Sequence, residues 1–153
     1  MTAFAMTQEP LKTLTNEHNH TLEFCARIRK GLHLKIETGR IRKYIDWFEK
    51  NYLEPHFELE EQYVFPVLGN NARVKKALAN HRRIRRLLSC SCTDEKVLNL
   101  LEEELARYIR FEERTLYNEI KLAAGAEELS RIQQQHDTIG FSEDEWKDTF
   151  WVW

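Results

Sequence analysis

Apolar residues recur three and four positions apart along four long stretches of the chain, and short polar clusters separate them. The first stretch covers about residues 10–32 and aligns Leu11, Leu14, Leu22, Cys25 and Ile28 before Gly31 interrupts it. The second, about 38–68, aligns Ile41, Ile45, Phe48, Tyr52, Tyr63 and Val67, and a GNN turn at 69–71 reverses the chain. Pro55 lies inside it and predicts a kink, because proline removes one backbone donor from a helix. The third, about 72–89, aligns Val74, Ala77 or Leu78, Ile84 and Leu88. The fourth begins after Thr93 and Asp94, which suit a helix N-cap, and aligns Val97, Leu101, Leu105 and Leu116. Four amphipathic segments with short connections predict an all-α, up-down-up-down four-helix bundle.

Composition agrees with this pattern, since 5 Gly and 3 Pro in 153 residues leave few of the turns a sheet-rich chain needs. The length fits one domain, 1–153, with the bundle over 10–122 and a short C-terminal helix and tail over 123–153. The tail holds Trp146, Phe150, Trp151 and Trp153, which are too apolar to stay in water and are expected to pack on the bundle or on a second copy in a homo-oligomer. A formal charge of −2 offers no basic excess for nucleic acid or an anionic membrane. The run HRRIRRLL keeps helical period and reads as a solvated face, with Glu58, Glu61, Glu102, Glu103 and Glu104 available for surface pairing. No apolar run nears the roughly 20 residues of a membrane span, and the N-terminus lacks the pattern of a secretory signal, so a cytoplasmic location is expected. Cys25 falls on an apolar face as a small hydrophobe, and Cys90 and Cys92 stand two apart rather than at the CxxC spacing of redox and zinc motifs.

Six residues interrupt the apolar stripes: His18, His56, Glu60, His81, Tyr108 and Glu112. They follow an internal repeat. LEPHFELEEQYVF at 53–65 is echoed by LARYIRFEERTLY at 105–117, and the surroundings of His18 and His81 also match. In each half, a helix with one inward histidine precedes a helix with an inward ring and a glutamate one turn later, so the six side chains should meet at the bundle centre. Residues four apart on a helix lie about 6 Å apart at Cβ, within reach of one ion. Buried carboxylates are costly unless paired or metal-bound, and imidazole with carboxylate suits iron, manganese or zinc. A lone histidine on an apolar stripe is more often a satisfied core group than a ligand. Three of them with two glutamates at matched spacing favour a metal site. His20 and His33 fall off the stripe and His136 lies in the tail helix, so all three read as surface residues, His20 being the nearest spare ligand.

The segments TNEHNH, LEPHFELEEQYVFP, LANHRRIRRLL and RYIRFEERTLYNEI resemble the hemerythrin-like, or HHE cation-binding, domain over roughly residues 10–122. The resemblance implies a four-helix bundle around a non-haem iron centre, usually diiron. Members of that family bind oxygen, sense oxygen, iron or redox state, or respond to nitric oxide and damaged iron–sulfur centres. By position it implies His18, His56, Glu60, His81 and Glu112 as ligands, with Tyr108 standing where the second HxxxE motif has histidine. Tyr108 then has three readings: a phenolate ligand, a hydrogen-bonding neighbour of the metal, or the mark of a site that has lost one or both ions. Oxygen carriers of the family bring a further histidine one turn from the His81 position, where this chain has Ala77 and Arg85, which argues against a simple carrier. No nucleophile, phosphate loop or substrate pocket is readable, so no reaction is assigned. The alternative is a metal-poor, degenerate bundle acting as a structural or interaction module.

Overall fold

The computed structural model describes residues 2–90 and 92–152, with side chains from His18 onward. Among these residues all regular structure is helical. Helix α1 spans Thr2–His33 and ends with Lys30 and His33 in its last turn, where cations suit the negative end of the helix dipole. Lys35, at φ 59°, turns the chain into α2, Thr38–Phe48. A π turn, Glu49–Leu53, joins α2 to α3, Glu54–Leu59, and a second one, Glu60–Val64, follows. Pro55 therefore sits in the first turn of α3, where its missing N–H removes no helical bond, and the π turn ahead of it takes up the disruption.

Helix α4, Ala72–Ser89, is capped by Asn71, whose side-chain oxygen accepts from the Arg73 N–H at 2.7 Å. Helix α5, Glu95–Phe111, starts at the expected cap, with the Asp94 carboxylate accepting from the Lys96 N–H at 2.7 Å. A third π turn, Glu112–Leu116, leads into α6, Tyr117–Ala123, and α7, Ala126–Asp137, closes the helical part. Helix α1 lies against α5 and α7, and α4 lies against α5. The inner faces bury Phe24, Ile28, Ile41, Ile45, Phe48, Leu101, Leu105, Ile109, Leu116 and Ile120. The positions expected at Leu11, Leu14 and Trp153 lie outside the described side chains. No described helix is long and apolar enough to cross a membrane.

The C-terminal part departs from the sequence expectation at one residue. His136 is buried rather than on the surface, because Leu129, Ile132 and His136 form a stripe of their own that α7 lays on α1 and α3. Beyond α7 the aromatic residues fold back on the first hairpin of their own chain. Trp146 meets Trp47 at 5.4 Å between rings, and Phe141 meets Tyr52 at 4.9 Å. Trp151 lies 5.1 Å from Tyr44 under the Arg27 guanidinium. Phe150 is buried over Gly31, where an added Cβ would stand 2.6 Å from the Phe150 ring and 3.1 Å from Ile41. Gly31→Val is therefore expected to destabilise the protein by about 1–3 kcal/mol and to move tryptophan emission to longer wavelength as the tail lifts. An unchanged unfolding midpoint and emission maximum would show that the tail is not seated there.

Candidate metal centre

His18 comes from α1 and His56 from α3, while Glu60 and Glu112 each open a π turn. In both π turns the closing N–H reaches back five residues, from Phe65 to the Glu60 carbonyl and from Tyr117 to the Glu112 carbonyl. The two halves of the repeat thus share a backbone irregularity at the same position, of a kind often found at functional sites. All four side chains are fully buried, and each offers a ligand atom within 4.8 Å of the other three. His18 Nε2 lies 3.4 Å from Glu112 Oε1, and His56 Nε2 lies 3.8 Å from Glu60 Oε1. An ion about 2.1 Å from its donors holds neighbouring donors about 3 Å apart, so these spacings need little adjustment.

The bonding of these groups tests the fit to a cation. Both ring nitrogens of His56, Oε1 of Glu60 and both carboxylate oxygens of Glu112 are buried without a hydrogen-bond partner among the described residues. Each such group is costly in a protein interior, and several of them facing one another is what a cation would resolve. The donor set of imidazole nitrogen and carboxylate oxygen fits iron, manganese or zinc.

His81, the third histidine on the stripes, is buried beside this group but differently engaged. Its Nε2 is 3.3 Å from Glu60 Oε1 and 2.6 Å from the Tyr108 hydroxyl, and its Nδ1 is 2.6 Å from Glu61 Oε2. Glu61 also accepts from the Arg85 guanidinium at 2.7 Å, and Arg85 donates through Nε and Nη2 to Glu54. The ring of Phe57 stacks on His81 at 3.9 Å and fixes its plane. Across the centre, Tyr117 stacks on His18 at 5.1 Å, donates its O–H to Glu60 Oε2 at 3.2 Å and lies 3.1 Å from His18 Nε2.

Electrostatics follow from burial and these contacts. Burial pushes the His56 imidazole down to about 4, so without a cation it stays neutral at ordinary pH. Burial works to raise the Glu60 carboxyl, but His56 and His81 beside it hold it below its ordinary range. For Glu61, burial again opposes ionisation, and His81 and Arg85 overcome it. Burial and then the nearby Glu60 charge push the Tyr108 and Tyr117 phenols well above their usual range.

All six sequence-derived positions reach the interior. Four form the tight group, while His81 and Tyr108 bond to each other at its edge. Sequence reasoning missed Tyr117, which aligns with Phe65 in the repeat and adds a hydroxyl there; that phenol-for-phenyl difference was the available signal. Glu61 pairs with Arg85 of the basic run, as expected, and is in addition a partner of His81. His20 lies outside the four-donor group with its Nδ1 facing Glu143 at 3.0 Å, and His33 is exposed as expected.

A protein-family model described as the hemerythrin HHE cation binding domain matches residues 9–91, more than half of the chain. No curated protein and no solved structure matches it.

Proposed function

The chain belongs to the hemerythrin HHE cation-binding domain family, and on that premise we propose that it holds non-haem iron through His18, His56, Glu60 and Glu112 and uses it to bind or sense oxygen, nitric oxide or redox state. The observation that carries this reading is the set of buried, unpartnered nitrogen and oxygen atoms converging from α3 and two π turns beside His18 of α1. Iron supplies one-electron redox chemistry and exchangeable coordination positions. Two imidazoles and two carboxylates would leave such positions open on an ion that prefers octahedral coordination, whereas four protein ligands close a tetrahedral zinc site. Manganese and zinc would compete for the same donors. The ligand-bearing helices are read as the up-down-up-down four-helix bundle of the family, with α7 added on one side.

The resemblance led to an expectation of two ions, and the bonding of Tyr108 favours one. Its hydroxyl is 2.6 Å from His81 Nε2, a hydrogen-bond distance shorter than the roughly 3 Å between two donors on one ion. Tyr108 is accordingly read as a neighbour of the centre, and the position of a second ion is closed while its hydroxyl occupies His81. Anaerobic addition of nitric oxide to the ferrous-loaded protein is expected to produce a half-integer-spin resonance signal, and the same treatment of His56→Ala should produce none. A wild-type protein that retains iron yet shows no spectral response to nitric oxide or oxygen would overturn the small-molecule part of the proposal.

A further inference from the structure

Each half of the repeat carries two adjacent acids, Glu60 with Glu61 and Glu112 with Glu113, and only the first of each pair belongs to the four-donor group. The second acid of each pair meets a histidine on another helix. Glu61 Oε2 is 2.6 Å from Nδ1 of His81 on α4, and Glu113 Oε1 is 3.4 Å from Nδ1 of His18 on α1. In both cases Nε2 of the same ring faces the interior, toward Glu60 from His81 and toward Glu112 from His18. Successive residues of a regular α-helix point about 100° apart, and the extra residue of a π turn changes that relation locally. Both pairs open a π turn, so the first acid faces the centre while the second reaches the flanking helix.

We propose that Glu61 and Glu113 are paired positioning residues: Glu61 accepts the Nδ1 proton of His81, Glu113 stands against Nδ1 of His18, and each thereby turns Nε2 of its histidine toward the interior. For His18 the consequence rests on the metal reading, because a ligating histidine whose outer nitrogen faces a carboxylate is oriented and made a better donor, while for His81 the consequence is that Nε2 is aimed at the Tyr108 hydroxyl. Neither acid needs to touch the cation. The two halves differ in how firmly the carboxylate is held. Arg85 follows His81 by one turn and clamps Glu61 at 2.7 Å, while the corresponding position after His18 is Leu22, which offers no donor. Glu113 accordingly rests farther from its histidine, at 3.4 Å against 2.6 Å for Glu61, without an aligned hydrogen bond. Arg85 thus serves the outer carboxylate.

Two readouts test this separately. Iron affinity, from chelator competition on the full chain, is expected to fall about 10- to 100-fold in Glu113→Ala and to recover most of that loss in Glu113→Gln, whose amide oxygen still accepts a hydrogen bond. In the metal-free protein, nitrogen NMR is expected to show a protected Nδ1–H on His81 that is lost in Glu61→Ala and kept in Glu61→Gln. Circular dichroism melting of each variant separates these effects from misfolding. Unchanged affinity in Glu113→Ala, or an Nδ1–H on His81 that stays protected in Glu61→Ala, would overturn the assignment of the acid concerned. A wild-type protein that binds no iron would instead sink the metal reading, and the NMR result alone would then decide the role of Glu61.

Discussion

Replacing Glu112 with leucine is expected to make the metal-free protein more stable and at the same time to abolish iron retention. Both carboxylate oxygens of Glu112 are buried without a hydrogen-bond partner among the described residues, and the nearest basic group, His18, stands 3.4 Å away with its own Nε2 shared with Tyr117. Burial of such a group opposes folding by about 1–3 kcal/mol. Leucine removes the polar atoms with little change in volume, whereas glutamine would leave a buried amide in the same position. For a chain of this size the gain corresponds to a rise of roughly 2–10 °C in the unfolding midpoint, measured by thermal denaturation with chelator present. A functional site held at the expense of stability has this signature. A lower midpoint in Glu112→Leu would mean that the carboxylate is satisfied without a cation.

The second large effect concerns Tyr108. Tyr108→His restores the HxxxE spacing to the second half of the repeat and removes the hydroxyl that occupies His81 Nε2. Retained iron is then expected to rise from about one to about two ions per chain, counted by elemental analysis after desalting. Tyr108→Phe is the control, because it frees His81 but adds no donor, and its count should stay near that of the wild type. A wild-type count near two, or no increase in Tyr108→His, would remove the idea that this tyrosine closes the second position.

Much of this arrangement was legible in the sequence, for an identifiable reason. His18, His56, Glu60 and Glu112 fall on stripes of helical period, and a regular period converts directly into a shared face. The caps at Asp94 and the boundaries of α4 were legible because cap and turn residues carry local signals. The π turns were not. No residue type marks an inserted backbone position, so helical period places Glu61 beside the basic run, where it meets Arg85, and gives no sign of its second contact, with His81. Arg85 was readable only as a missing histidine, since its work depends on a carboxylate placed by that same turn. His136 is buried because Leu129 and Ile132, seven and four residues before it, make a helical stripe with it, a period that the sequence of the tail helix also carries.

Tyr117 shows how far the repeat comparison reaches. Aligned with Phe65, it marks a second place where the halves differ, and both rings pack on the histidine of the neighbouring helix, Phe65 on His81 and Tyr117 on His18. The first half thus pairs an imidazole at 56 with a plain phenyl at 65, and the second pairs a phenol at 108 with another at 117. Tyr117→Phe, which keeps the stacked ring and removes the donor to Glu60, is expected to weaken iron binding by less than about tenfold, since a single hydrogen bond to a charged group is worth about 1.5–3 kcal/mol at most and the cation replaces part of it. A loss as complete as in His56→Ala would make Tyr117 a ligand instead.

The most direct test of the account is an anaerobic calorimetric titration of chelator-stripped protein with ferrous iron, run on the wild type and on His56→Ala. The account expects saturation at about one ion per wild-type chain and less than about a tenth of an ion per chain for the variant. A wild-type protein that takes up less than about a tenth of an ion, or a His56→Ala protein that titrates like the wild type, would contradict it.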